Sequence, residues 1–104
     1  MRIALALASM ALVAACDPAD VADKAMKRTV QTVVFPVVNL DMPAVPAQAA
    51  TECILATATS DELRLLARDV GVVAGTSTKA TIRAIALRPE AQSCFAAAGV
   101  PPIR

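Results

Sequence analysis

The feature that most limits how this chain folds is an apolar run at its start, residues 3 to 15, which follows a positive charge at Arg2. Ser9 is the only polar residue of the run, and Cys16 and Asp17 follow it directly. About 13 residues are too few to span a bilayer, which needs roughly 20, and are typical of the apolar core of an export signal. We therefore expect residues 1 to 15 to be a signal peptide, and removing these 15 of 104 residues leaves 89 to fold.

The end of this run, Val13-Ala14-Ala15-Cys16, resembles the lipobox of bacterial lipoproteins. The resemblance implies that diacylglycerol is attached to the Cys16 thiol, that the bond before Cys16 is cut and that the new amino terminus is acylated. The mature protein would then be anchored in a membrane and face the periplasm. Asp17 slightly favours the inner membrane over the outer, as in enteric-type lipoproteins. An ordinary signal peptide cleaved after Ala15 is the alternative, because its small residues also suit general signal peptidase.

The composition of the remaining residues predicts one small domain with a thin aliphatic core. Phe35 and Phe95 are the only aromatic residues, and the chain has no Trp, Tyr or His. Losing Arg2 from the ten Lys and Arg residues leaves nine, which equals the nine Asp and Glu residues. A neutral side-chain balance gives no strong field for polyanions, so we expect no nucleic-acid partner.

Two cysteines besides Cys16 remain in the mature chain, Cys53 and Cys94. In an exported small domain such a pair is expected to form a disulfide, because the compartment is oxidising and the core is thin. Closing a loop of about 42 residues should stabilise the fold by roughly 4 kcal/mol in the chain-entropy model. A metal pair or a reactive thiol is the weaker alternative, since neither cysteine lies in a CxxC spacing.

The first part of the mature chain, residues 16 to 35, is predicted to be a lipid-anchored helix, with Pro18 in its first turn. The β-branched residues from Thr29 to Phe35 leave a strand there as the alternative. Residues 36 to 47 contain Pro36, Pro43 and Pro46. This density of proline predicts an extended connector.

Residues 48 to 104 are predicted to be a disulfide-closed helical module of about four short helices, which makes the fold class all-α. Thr59 and Glu62 match a capping box, and the apolar residues that follow recur at helical spacing up to Gly71. Cys53 would lie in the first of these helices and Cys94 in the last. The expected helices cover residues 48 to 58, 59 to 70, 76 to 87 and 89 to 99.

Candidate chemistry along the chain is sparse, and we predict no catalytic residue, no metal site and no cofactor. A triad or metal site that uses histidine is excluded because the chain has none. The spacing Asp17-x-x-Asp20-x-x-Asp23 lacks the glycine and glutamate of an EF-hand loop, so these acids are expected to be helix-dipole partners. Arg64 and Arg68 could bind a phosphate or carboxylate, although a solvated helix face is the simpler interpretation.

Three basic residues near the predicted anchor are candidates for contact with anionic lipid headgroups, where each would contribute about 1 kcal/mol. The alternative is again a solvated helix face. The three residues are Lys24, Lys27 and Arg28.

The function predicted from these features is binding, by a small membrane-anchored lipoprotein of the bacterial cell envelope that serves as an accessory or assembly subunit. Its partners would be the membrane, through Cys16, and an envelope protein, contacted by exposed apolar side chains such as Val72, Val73, Val100 and Ile103. The residues Cys53, Glu62-Leu63, Leu66-Ala67, Ile85, Arg88-Pro89 and Cys94 also resemble a small uncharacterised lipoprotein family, which implies no activity. Two alternatives are a small enzyme or enzyme subunit that uses Asp, Glu or Lys, and a membrane-active protein similar to the entericidins.

Overall fold

The computed structural model describes residues 18 to 101, with side chains described from residue 22 onward. Over this range the chain forms helices joined by turns and short loops, which confirms the all-α prediction. The segment Thr29 to Phe35 is helical, so the strand alternative is wrong. The predicted signal peptide, Cys16 and Asp17 lie outside the described residues. The helices are α1 (Pro18–Asn39), α2 (Ala44–Thr57), α3 (Ser60–Ala67), α4 (Thr76–Ala86) and α5 (Pro89–Ala97).

Helix α1 has two parts that differ in burial. From residue 22 to residue 25 its side chains are exposed or half-exposed, and Met26 is the first that packs against the core. Four valines then recur at helical spacing and are buried: Val30, Val33, Val34 and Val38. We call residues 18 to 25 the stalk and residues 26 to 101 the module. The module therefore includes most of α1 together with the helices that follow it.

The prediction of an extended connector over residues 36 to 47 is wrong at both ends. Pro36 lies inside α1, and Pro46 lies in the first turn of α2, so the connector is reduced to residues 40 to 43. Proline is tolerated in a first turn because the amides there have no partner within the helix. Inside α1, Pro36 is exposed, and burying Val34 and Val38 on either side offsets a cost of about 3 kcal/mol.

The module is built around α2, which packs against α1, α4 and α5, while α3 packs against α1 and α4. Its core is mainly aliphatic, as predicted, and also contains Phe95, Cys53 and the buried Thr51. The predicted disulfide is present: Cys53 in α2 is bonded to Cys94 in α5, and their Cα atoms are 5.7 Å apart. The bond joins the second helix of the module to the last.

The helix ends show why the chain turns where it does. The predicted capping box is present at α3: the Glu62 amide donates to Thr59 Oγ1 (3.2 Å) and the Thr59 amide donates to Glu62 Oε1 (2.9 Å). At the end of α5, Gly99 has φ +70°, and the Val100 amide donates to the Phe95 carbonyl (2.9 Å). This is a Schellman ending, in which the residue after the glycine contacts the last turn. Val100 is accordingly only 6% exposed, so the expectation that it is an exposed binding residue is wrong.

Candidate binding groove

An apolar hollow lies between the carboxyl end of α1 and α4, with α2 beneath it. It exists because α1 and α4 both pack against α2 but make few contacts with each other. Its volume is about 680 Å³, within the range of about 300 to 1,000 Å³ that is usual for small-molecule sites. We call it the groove. It is lined by Val37, Val38, Leu40, Asp41, Met42, Pro43, Ile54, Lys79, Ile82, Arg83, Ala86 and Pro101.

The floor of the groove is apolar. Val38, Ile54, Ile82 and Ala86 are buried there and belong to the core of the module. Ile82 and Ala86 lie one turn apart on α4, so the helix presents an apolar stripe toward α1. Leu40, in the connector at the rim, is 73% exposed, although burying such a side chain would be favourable. The groove thus presents apolar surface to whatever enters it.

Two cations lie on one rim of the groove. Lys79 and Arg83 are exposed and one turn apart on α4, beside the apolar stripe, and residues at this spacing can reach one ligand. Neither takes part in an ion pair among the described residues. Asp41, in the connector, also lines the groove. The two cations and this carboxylate give the groove a net side-chain charge of +1.

A smaller hollow of about 250 Å³ lies at the start of α4 and is lined mainly by polar residues. Asp69 lies beside this helix end: its Oδ2 accepts from Thr78 Oγ1 (2.5 Å) and from the Gly75 amide (3.1 Å). These hydrogen bonds, the one from Thr78 first, lower the pKa of Asp69. We assign Asp69 a structural role, because its carboxylate is already hydrogen-bonded and ties the preceding loop to the first turn of α4.

An ion pair joins α3 to the junction of α4 and α5. Arg88 Nη1 and Nη2 donate to Glu62 Oε1 and Oε2 at 2.8 and 2.5 Å, a bidentate pair, and the Glu62 side chain is 17% exposed. The hydrogen bond from Arg88 is the largest reason why the pKa of Glu62 falls from 4.5 to about 2. The sequence indicates the cap but gives no signal for a contact across 26 residues. The pair holds α3 against the start of α5, and both carboxylate oxygens of Glu62 have hydrogen-bond partners.

The basic residues that the sequence indicates as candidates lie on α1 and at the carboxyl end of α3. On α1, Lys24 and Arg28 are exposed and Lys27 is half-exposed, and the structure shows no site that brings them together with the groove. On α3, Arg64 pairs with Asp61 at 3.4 Å in an exposed position. Arg68 is exposed in the turn that follows, as a solvated face requires.

The remaining predicted positions are divided. Val72 and Val73, in the loop before α4, are 65% and 91% exposed, as expected, while Ile103 lies outside the described residues. Asp17 and the side chain of Asp20 also lie outside them. Among the residues with described positions, no group of three or more His, Cys, Asp or Glu side chains could hold a metal ion. The sequence gives no indication of the groove, because the prolines of residues 36 to 47 predict an extended segment where α1 and the connector line it.

Comparisons of the chain with protein-family models, with curated proteins and with solved structures found no match. Within residues 18 to 101, no helix is both long enough and apolar enough to cross a membrane.

Proposed function

We propose that this protein is a small lipoprotein of the bacterial cell envelope, anchored through acylated Cys16, that acts as a binding or accessory subunit through the groove. The observation that carries the proposal is the groove itself, an apolar hollow with a cationic rim. The resemblance of residues 13 to 16 to a lipobox supports the anchor. The Cys53–Cys94 disulfide is consistent with it, since such bonds persist in oxidising compartments.

The geometry of α1 is consistent with an anchor at one end of the helix and a binding groove at the other. The helix begins two residues after Cys16, and Val38, in the groove, lies 20 residues beyond Pro18. At 1.5 Å per residue the groove is about 30 Å along the helix from the start of the stalk. The anchor and the binding surface would therefore be at opposite ends of α1, with Lys24, Lys27 and Arg28 at the membrane end.

The anchor is tested by mass spectrometry of the protein purified from bacterial membranes. We expect a mature chain that begins at Cys16 and carries diacylglyceryl and acyl groups, and we expect Cys16→Ser to abolish both the added mass and the membrane fraction. An unmodified Cys16 at the amino terminus would refute the anchor.

Binding at the groove is tested by photo-crosslinking in living cells. A photoreactive residue in place of Met42, in the groove, should capture one defined species, whether a protein segment or a small molecule. The same residue in place of the exposed Leu65, on α3 and outside the groove, is the matched control and should not capture that species. No product at Met42, or the same product at both positions, would contradict a binding role for the groove.

A further inference from the structure

The shape and charge of the groove limit what it can bind. An apolar floor built from α1, α2 and α4 suits a hydrocarbon chain, because it removes the apolar surface of that chain from water. An extended peptide is disfavoured, since its backbone amides and carbonyls would lie against aliphatic side chains without hydrogen-bond partners. Thr51 is buried on α2, donates to the Ala47 carbonyl at 2.7 Å and does not line the groove. It therefore offers no hydrogen bond to a peptide in the groove.

The rim adds a requirement for negative charge at one end of the ligand. Lys79 and Arg83 are spaced to hold a single anionic group between them, and no carboxylate of the described residues neutralises either side chain. Asp41 also lines the groove and leaves the three charged side chains with a net charge of +1, which matches one anionic group. The ligand that matches both surfaces has one apolar chain and one anionic head.

We propose that the groove binds a long-chain fatty acid, with the chain along the floor between α1 and α4 and the carboxylate between Lys79 and Arg83. The proposal rests on the binding role proposed above and specifies its ligand. The occupant is a free fatty acid rather than a lipid within the bilayer, because the groove lies about 30 Å along α1 from the proposed anchor.

The test is titration of monomeric palmitate, below its micellar concentration, into the chain from residue 16 onward with Cys16→Ser. This protein keeps every residue that the structure describes and needs no detergent. We expect saturable binding of one palmitate per chain, weakened about tenfold by the double variant Lys79→Gln, Arg83→Gln. Both residues are exposed, so circular dichroism and the melting temperature should be unchanged.

Two controls make the result specific. The double variant Lys24→Gln, Arg28→Gln removes the same charges at the same spacing from α1 and should leave palmitate binding unchanged. Hexadecanol, which has the chain without the charge, should bind the wild type and the Lys79, Arg83 variant equally.

Absence of saturable palmitate binding, or equal weakening by both double variants, would overturn the proposal. Binding to anionic vesicles but not to monomeric palmitate would also overturn it. Capture of a protein segment by the Met42 crosslinker, with no palmitate bound, would reject the fatty acid and leave the binding role intact. Failure of both experiments would reject both.

Discussion

The stalk and the module are parts of one polypeptide with the same helical structure, but they are stabilised differently. In the stalk no described side chain is buried, so its helix has little besides backbone hydrogen bonds, and short isolated helices are marginal in water. In the module the same helix buries a valine on each successive turn from Val30 to Val38, and a disulfide joins α2 to α5. The comparison teaches that tertiary packing, and not helix propensity, decides which part of α1 is stable.

The largest difference is expected from removal of the disulfide. We predict that Cys53→Ala combined with Cys94→Ala lowers the free energy of unfolding of the module by about 4 kcal/mol and its melting temperature by about 20 °C. Thermal melting followed by circular dichroism measures the effect. A change below 5 °C would mean that the aliphatic core alone stabilises the module.

A direct comparison within α1 comes next. Val34→Ala removes two methyl groups from a fully buried site and should cost about 2 kcal/mol. Lys24→Pro introduces a helix breaker into the stalk and should shift the melting temperature by less than about 2 °C, although proline costs about 3 kcal/mol inside a packed helix. Equal destabilisation by the two variants would show that the stalk is part of the cooperative unit.

The ion pair between Glu62 and Arg88 gives the stability of the module a pH dependence. Because the pKa of Glu62 is about 2 in the folded protein and 4.5 in the unfolded chain, its stabilisation is complete above about pH 4.5 and lost as the pH falls toward 2. We predict that Glu62→Gln costs about 1.5 kcal/mol at pH 7.

The measurement is the unfolding free energy of the wild type and of Glu62→Gln between pH 2 and pH 6. The two curves should converge as the pH falls. A constant difference across this range would show that the Glu62 charge does not stabilise the fold.

The smallest effect is expected at the end of α5. Gly99→Ala forces an L side chain into a left-handed conformation and should cost about 1 kcal/mol, although the added Cβ would touch nothing within 4 Å. Gly99→Asn is the matched control, because asparagine tolerates the left-handed conformation better than alanine does, so it should cost less than Gly99→Ala. Equal costs for the two variants would rule out the strain at Gly99.

How far the sequence predicts the fold depends on the range of the interactions. The capping box at Thr59 and Glu62 and the glycine at the end of α5 are local signals, and the structure confirms both. Pro36 gave a local signal too, but burial of the neighbouring valines overrides it, and only tertiary packing decides that outcome.

The candidate site was less predictable for the same reason. Lys79 and Arg83 are ordinary helix residues in the sequence, and they line the groove only because α1 ends opposite them. The pairing of Glu62 with Arg88 likewise depends on how α3 and α5 meet. The disulfide is the exception, because Cys53 and Cys94 leave only one pairing when Cys16 has the proposed role of lipid anchor.

Amide hydrogen exchange of the chain from residue 16 onward, before and after reduction of the disulfide, tests most directly whether a disulfide-closed module is joined to a marginal stalk. We expect the slowest amides of α2 and α5 to exchange about a thousandfold faster after reduction, the equivalent of about 4 kcal/mol. The amides of residues 22 to 25 should exchange rapidly and equally in both states. Exchange in α2 and α5 that changes less than tenfold on reduction, or protection of the stalk equal to that of the module, would contradict the division.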